Sequence, residues 1–173
     1  MHYIAKGCEL HSIATSSGSL TAQKREKPSE DTGYSFANCK VTGSGTIFLG
    51  RAWGAYSRVV FLFTYIDDII VPAGWNDFGD SSHQQYVTYF VTNLEECLVY
   101  IFTNEWINVL EKNGLNVVID LRFYVCRTSF YGEYQCSGPG ADAKNRVAWS
   151  YQLTASQAAP FETISFIDGD SWL

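Results

Sequence analysis

A positively charged side chain and a large flat one lie close together in the stretch LGRAWGAYSR, residues 49–58. The stretch alternates as a β-strand does, and residues two apart on a strand project from the same face. We therefore expect Arg51 and Trp53 to stand side by side. A guanidinium binds a carboxylate and an indole offers a flat face to a pyranose ring, which makes the pair a candidate site for a sugar acid. The alternative is an exposed arginine beside a half-buried tryptophan, with no ligand.

The composition predicts one folded domain and excludes two kinds of partner. A chain of 173 residues, 46% of them hydrophobic, is large enough to bury a core. The net charge is −6 and the longest basic run is the short KREK at residues 24–27, which argues against a nucleic-acid surface. No apolar run approaches the roughly 20 residues of a membrane span. The N-terminal MHYIAKGCELHS lacks the apolar core of a signal peptide.

The elements that must position the Arg51–Trp53 pair are short β-strands. Residues 1–80 consist of β-type segments separated by Gly, Ser, Asp and Asn, namely GSLTAQ, GYSFANCKVTG, TIFLGRAW and SRVVFLFTYIDDIIV. This pattern predicts an all-β fold and leaves a sandwich, a barrel and a solenoid of stacked coils open, because no sharp sequence repeat decides among them. Near the C-terminus, Thr154 is placed to cap a short helix that Pro160 would end.

Residues 86–127 differ from the sequence on either side of them. The segment contains a single Gly and no Pro, and it is rich in Val, Ile, Leu, Phe and Tyr. The turn-rich pattern returns with TSFYGEYQCSGPGADAKNRVAW and continues to the terminal SFIDGDSWL. We therefore predict two parts, one formed by residues 1–85 together with 128–173, and a foreign insertion at 86–127.

Cysteines and histidines offer little evidence of a metal or nucleophilic site. The five cysteines contain no CxxC pair and no regular spacing, which argues against zinc, and their odd number leaves the redox compartment open. The histidines are scattered and no serine lies in a GxSxG setting, so a serine esterase is not indicated. These residues are Cys8, Cys39, Cys97, Cys126, Cys136, His2, His11 and His83.

Two carboxylate pairs could be considered for acid–base chemistry. Asp67 and Asp68 are adjacent, so on a strand they face opposite sides and cannot flank one bond. Asp168 and Asp170 share a face if the chain is extended, but they lie in a glycine-containing tail that is typical of a surface turn. We expect Asp67 and Asp68 to close a turn or to pair with a basic residue, and Asp168 and Asp170 to have a capping or solvated role.

Several motifs occur in the order in which a known family has them. They are CELHSIA, SLTAQKR, GYSFANCKVTG, LGRAW beside the family's LGRPW, SRVVF, IIVPAGWNDFGD, FYGEYQCSGPGAD, RVAW and SFIDGDSWL. Each is weak alone, but together they span most of residues 3–85 and 128–173. By this order the chain resembles the plant pectin methylesterases (pectinesterases). The resemblance implies a right-handed parallel β-helix, here partial and without its N-terminal coils, with a short C-terminal helical segment.

The resemblance also implies the chemistry, which is hydrolysis of methyl esters on the galacturonate units of pectin without a metal or organic cofactor. One aspartate attacks the ester carbonyl, a second acts as acid and base, and glutamines hold the oxyanion. Arg51 matches the arginine that orients the nucleophilic aspartate, and Trp53 and Trp75 match tryptophans that contact the sugar. Ala52 stands where the family has proline, so we expect a looser site. An extracellular, cell-wall location and proteinaceous inhibitors as partners are implied as well.

The family's QDTL and DFIFG motifs, which carry both catalytic aspartates, do not occur in this sequence. In relatives the DFIFG segment shortly precedes the segment that YIAKGCELHS matches, so we interpret Met1 as an internal start or a truncated gene product. The expected function is that of a pectinesterase. The alternatives for this literal chain are a non-catalytic pectin-binding remnant and an unstable truncated product, since an uncovered first coil exposes core side chains and strand edges.

Two further interpretations depend on the resemblance. Codons for Gln85–Val87 can contain a donor-like string and those for Phe123–Arg127 a pyrimidine-rich tract ending in CAG, so we interpret 86–127 as a retained intron. A true insertion loop is the competing view. Cys8 and Cys39 match family cysteines, which makes a disulfide plausible, and two buried thiols in adjacent coils are the alternative.

Overall fold

The described residues of 1–85 and 128–173 form a parallel β-helix, as the resemblance implied. A computed structural model describes residues 2–84, 86–91, 122–127 and 129–167. Three parallel sheets form the sides of the helix, and the chain visits them in turn. The first sheet contains β1 (His2–Lys6), β4 (Gly33–Ala37), β7 (Arg58–Leu62), β12 (Phe130–Tyr134) and β13 (Tyr151–Gln152). The second contains β2 (Glu9–Ser19), β5 (Lys40–Phe48) and β8 (Tyr65–Ile66), and the third contains β3 (Ala22–Gln23), β6 (Gly50–Ala52) and β9 (Trp75–Asn76).

The interior of the helix is filled by alternate side chains from each coil. Residues two apart on a strand share a face, so Tyr34 and Phe36 of β4 project towards the core, in register with Val59 and Phe61 of β7, whereas the first, third and fifth residues of β4 are buried on its other face. The largest apolar cluster collects inward side chains from all three sheets, among them Val41, Leu49, Phe61, Ile66 and Tyr131. Each coil therefore contributes a layer to one continuous core.

Strand β7 is buried on both faces, which explains its unbroken apolar sequence VVFL. Val59 and Phe61 pack inside the helix, whereas Val60 and Leu62 belong to a second cluster on the outer face of the first sheet. That second cluster is covered by the C-terminal segment, including Leu153 and Ala158. Strands covered on both faces are expected to be continuously apolar.

A stack of left-handed residues turns the chain out of the first sheet after β1, β4, β7 and β12. Gly7, Asn38, Phe63 and Gln135 each follow a strand of the first sheet and have φ values of 66°, 54°, 50° and 48°. The N–H groups of Gly7, Asn38 and Phe63 each bond to the adjacent coil, as from Asn38 N to Leu62 O at 2.9 Å. The repeat lies in the backbone conformation and not in the residue type, which is why it does not show in the sequence.

The predicted C-terminal helix is present. It runs over Ala155–Ala158 as α1 with Thr154 at its N-cap, and the Thr154 N–H donates to the Gln157 side chain at 2.9 Å. Pro160 lies in the 3₁₀ turn Ala159–Phe161 that follows. Within the described part of the chain, no helix combines the length and apolar character that crossing a membrane requires.

The structure separates into two compact units, residues 1–85 with 128–173 and residues 86–127. In the second unit, β10 (Tyr86–Val91) and β11 (Arg122–Arg127) pair antiparallel, with Tyr86 opposite Arg127 and Val91 opposite Arg122. The foreign origin of this unit stays a prediction.

Candidate functional site

Arg51 projects outward from the middle of the short strand β6. Its neighbours Gly50 and Ala52 are buried, so the strand's alternation places the arginine on the outer face. The Arg51 N–H bonds to Thr21 O at 3.0 Å, and the residue lies in register between Ala22 on β3 and Asn76 on β9. Strands on both sides therefore hold the base of this side chain in place.

Trp53 stands beside Arg51, as the spacing predicted. It follows the end of β6, and its N–H bonds to Arg51 O at 3.1 Å. The guanidinium carbon of Arg51 lies 5.7 Å from the centre of the Trp53 ring, within cation–π range. The ring is 50% exposed. The pair thus presents a cation and a flat apolar face together at the surface.

A third member of the site, Phe78, was missed by the sequence analysis. Its ring centre lies 5.1 Å from the Arg51 guanidinium carbon and 6.4 Å from the Trp53 ring, and the side chain is 49% exposed. The sequence feature that could have identified it is the position of a phenylalanine in the polar turn NDFGD, where burial in a core is not expected. Arg51, Trp53 and Phe78 form what we call the aromatic–cation site.

The Arg51 guanidinium has one nitrogen, Nε, without an acceptor among the residues that the structure describes. Its Nε is buried and makes no hydrogen bond to any residue that the structure describes. A buried donor without a partner is costly, and guanidinium N–H groups are arranged to hold a carboxylate with two parallel bonds. The arrangement can therefore receive a carboxylate at Arg51 while a ring rests on the adjacent aromatic faces.

The structure gives Trp75 an environment different from the one expected. The side chain is 1% exposed and stacks on Tyr131 with ring centres 4.5 Å apart. It points inward from β9 because Asn76, its neighbour on the strand, occupies the outward position in register with Arg51. An enclosed indole has no free face for a sugar in this conformation. The expected substrate contact at Trp75 stays a prediction without support from the packing.

A buried ion pair holds Trp75, and the sequence analysis did not identify it. Glu133 on β12 is 2% exposed and accepts bonds from Arg146 Nε at 2.8 Å and Nη2 at 3.0 Å. The same carboxylate accepts the Trp75 Nε1–H at 3.3 Å. The sequence feature that could have indicated this pair is the glutamate inside the apolar run FYGEY, since a buried charge requires a partner.

The other titratable residues that were considered have structural roles where the structure describes them. The Asp67 carboxylate accepts the Asp68 N–H at 3.0 Å, in a turn that the bond from Ile70 N to Asp67 O closes at 3.4 Å. His2 pairs with Asp31, His83 pairs with Asp80, and His11 bonds to Thr42. Asp168 and Asp170 lie outside the described residues. Among the described residues, no three His, Cys, Asp or Glu side chains meet as metal ligands would.

Cys8, Cys39 and Cys136 are free thiols. Cys39 is buried and Cys8 exposed, at equivalent turn positions of adjacent coils, where Lys40 N bonds to Cys8 O at 2.9 Å. Burial raises the pKa of the Cys39 thiol, and it raises that of Cys136 to about 11. The arrangement agrees with separate thiols in adjacent coils, with only one of the two buried.

Comparison with known proteins identifies the family. The Pectinesterase family profile matches residues 4–95. The chain is 36–38% identical over 166–168 residues to three pectinesterases of Arabidopsis thaliana, including pectinesterase QRT1. These matches cover 96% of this chain and 33–38% of each relative, so the chain spans about a third of their length.

Solved structures agree with the sequence matches. The pectin methylesterase from carrot superposes with a TM-score of 0.68 at 25% identity, over 98% of this chain and 45% of that one. An Aspergillus niger pectin methylesterase, at 22% identity and a TM-score of 0.57, shares the fold over 96% of this chain and 40% of its own. The expected family is confirmed, and the chain belongs to the pectinesterases.

Proposed function

We propose that this chain binds partially methyl-esterified homogalacturonan, the backbone of pectin, through the aromatic–cation site. In a complete catalytic centre it would contribute Arg51 to hydrolysis of the methyl esters during cell-wall modification. The observation that carries the proposal is the buried Arg51 Nε without an acceptor, next to two half-exposed aromatic rings. This combination suits a ligand that is both a carboxylate and a pyranose.

The proposed reaction converts the methyl ester and water into a free carboxylate and methanol. By resemblance, Arg51 orients an aspartate that attacks the ester carbonyl, and Trp53 contacts the sugar ring. Such an aspartate would satisfy the unpartnered Nε, and so would the carboxylate of a de-esterified galacturonate. Hydrolysis requires the aspartate at Arg51, whereas binding requires only the galacturonate carboxylate.

A second candidate is a pectin-binding role without hydrolysis. It is favoured by one observation: among the described residues, no carboxylate forms an ion pair or hydrogen bond with Arg51. A nucleophilic aspartate held by this arginine would form such a contact. We therefore expect the literal chain to bind pectin and to release no methanol by itself.

The partners and location follow from the proposed substrate. Pectin lies in the plant cell wall, so we propose an extracellular site of action. One relative from Arabidopsis thaliana, 31% identical over 98% of this chain, carries both pectinesterase and pectinesterase inhibitor in its name. Proteinaceous inhibitors are therefore proposed as further partners.

Two assays on the purified chain separate the candidates. Retention on a column of partially methyl-esterified pectin, compared with the variant Arg51→Gln, measures binding at the site. Methanol release from the same pectin measures hydrolysis. We expect retention that R51Q abolishes, without methanol. Methanol release lost in R51Q would show a catalytic chain, and a folded wild-type chain that flows through the column would contradict the proposal. A chain that fails to fold would support the alternative of an unstable truncated product without a function.

A further inference from the structure

The turn that follows Trp53 is joined to a charged loop on the neighbouring coil. Residues 24–32 form the loop between β3 and β4, and residues 53–57 connect β6 to β7. Arg25 O accepts the Tyr56 N–H at 2.9 Å, and the Arg25 guanidinium donates from Nη1 to Tyr56 O at 3.3 Å. Arg25 and Tyr56 therefore exchange two hydrogen bonds, one of which depends on the arginine side chain.

The same guanidinium holds the loop 24–32 closed. Its Nε donates to Glu30 O and its Nη2 to Pro28 O, each at 2.5 Å, so one side chain binds three carbonyl groups from two segments. Burial lowers the pKa of the Arg25 guanidinium, and the nearby charge of Arg58 lowers it further. A planar fork of five N–H donors is suited to joining several carbonyls at one place. Arg25 therefore ties the loop to the turn.

The ends of the turn 54–57 are anchored independently of that side chain. A Cβ at Gly54 would overlap with the Arg25 backbone, and the Gly54 N–H bonds to Gln23 O at 3.3 Å. Ser57 is fully buried and donates from Oγ to Gly54 O at 2.7 Å. The Tyr56 carbonyl between these anchors is the group that the Arg25 side chain holds.

Trp53 depends on this turn for its orientation. Its ring is 50% exposed, so neighbouring side chains enclose only part of it, and its direction is set largely by a backbone that runs from Arg51 into Gly54. A side chain that a ligand must first order reduces the affinity, whereas one that the structure has already ordered does not. A fixed turn therefore favours placing a sugar on the indole.

We propose that Arg25 is a positioning residue for Trp53, which acts through the backbone of the turn 54–57. By joining this turn to the loop 24–32, it keeps the indole in its place beside Arg51. The consequence for affinity rests on the proposed pectin binding, whereas the consequence for the order of the Trp53 ring does not.

The substitution Arg25→Gln removes the fork of donors and is measured in two ways. Nitrogen relaxation of the Trp53 indole N–H, assigned by its loss in Trp53→Ala, should show faster internal motion in R25Q than in the wild type. In calorimetry with trigalacturonic acid, R25Q should lose about three-fold in affinity, the cost of ordering one side chain on binding. In the W53A background R25Q should cause no further loss, because Arg25 acts through Trp53.

Arg58 provides a matched control. It is also a partly buried arginine, but its Nη1 lies 3.5 Å from Asp31 Oδ1, with which it forms an ion pair. Arg58→Gln removes the same charge as R25Q and should leave the indole motion and the affinity unchanged. Arg25→Lys keeps the charge without the planar fork and should resemble R25Q, which covers the case in which R25Q does not fold.

Two results would overturn the assignment of Arg25. One is an unchanged indole motion in folded R25Q or R25K, and the other is an equal loss of affinity with and without Trp53, which a merely structural role would give. If the folded wild-type chain binds no trigalacturonic acid, the proposed function fails. The indole relaxation then still decides the role of Arg25, since it is measured without sugar.

Discussion

Glu133 and Arg146 form a buried ion pair in which both carboxylate oxygens accept guanidinium N–H groups, at 2.8 and 3.0 Å. Arg146 also donates to Pro72 O at 3.1 Å, and Glu133 accepts the Trp75 Nε1–H at 3.3 Å. One pair therefore joins β12 to the segment that leads into β9. Trp75 in turn packs beneath Gly50, next to Arg51. The ion pair thus supports the floor of the aromatic–cation site.

Removing the charge of Glu133 should destabilise the fold strongly. Glu133→Gln leaves the Arg146 guanidinium buried without an anion, and we expect a loss of about 3–5 kcal/mol in the free energy of unfolding. Urea denaturation measures it. The double variant Glu133→Met with Arg146→Met removes both charges and should be less destabilised than E133Q. A loss below about 1 kcal/mol for E133Q would show that the pair is not a main support of the fold.

The contact between Gly50 and Trp75 should be intolerant of a methyl group. An added Cβ at Gly50 would meet Trp75 Cζ3 at 3.1 Å and would overlap with Thr21 Oγ1. We expect Gly50→Ala to cost about 1–3 kcal/mol through overpacking, measured as a lower melting temperature. Gly18 is the control, because a Cβ there makes only an ordinary contact with Ile47 at 3.4 Å. Equal effects of G50A and G18A would contradict the close packing beneath Arg51.

The buried thiol of Cys136 predicts a loss of stability at alkaline pH. Burial raises its pKa to about 11 in the folded state, whereas an unfolded cysteine ionises near about 8.5. The unfolded state therefore loses its proton first, and the free energy of unfolding falls as the pH rises between these values, on the order of 2 kcal/mol.

Urea denaturation at pH 7.5 and pH 10.5 measures this slope. Cys136→Ala should show a smaller decrease than the wild type, whereas Cys8→Ala, at an exposed position, should show the wild-type decrease. Identical slopes in all three proteins would mean that the Cys136 thiol ionises equally in the folded and unfolded states.

Trp53 should matter for binding and not for folding. Its ring is half-exposed, so Trp53→Ala removes a sugar-contacting face with little loss of core packing. We expect up to about a ten-fold loss in affinity for trigalacturonic acid, measured by calorimetry. Trp53→Phe retains a flat ring and should recover most of the affinity. An unchanged affinity in W53A would remove Trp53 from the proposed binding surface.

The pairing of Arg51 with Trp53 could be predicted from the sequence because it depends on local geometry. Side chains two residues apart on a strand share a face, and Trp53 does stand beside Arg51 although it lies just beyond the end of β6, where its N–H bonds back to Arg51 O. The apolar run SRVVFL likewise indicated a strand, and the structure explains its burial on both faces. Local periodicity was sufficient in both cases.

The contacts of Phe78 and Trp75 could not be predicted in the same way. Phe78 reaches Arg51 only because Asn76 and Asp77 hold a left-handed turn. Trp75 follows a glycine and precedes a polar residue, which resembles an exposed turn, yet its position is decided by Tyr131 and Glu133 far along the chain. Both depend on contacts between coils, and a single sequence does not show which coils are neighbours.

The most direct test of a sugar-acid site at Arg51 is the NMR signal of its Nε–H group. This group is buried without an acceptor among the described residues, so its resonance, assigned by its loss in Arg51→Lys, should report the arrival of a carboxylate. We predict that titration with trigalacturonic acid shifts the Arg51 Nε–H resonance saturably and leaves that of Arg146, already paired with Glu133, unchanged. An Arg51 resonance that stays in place while the folded chain is titrated to saturating sugar would contradict the account.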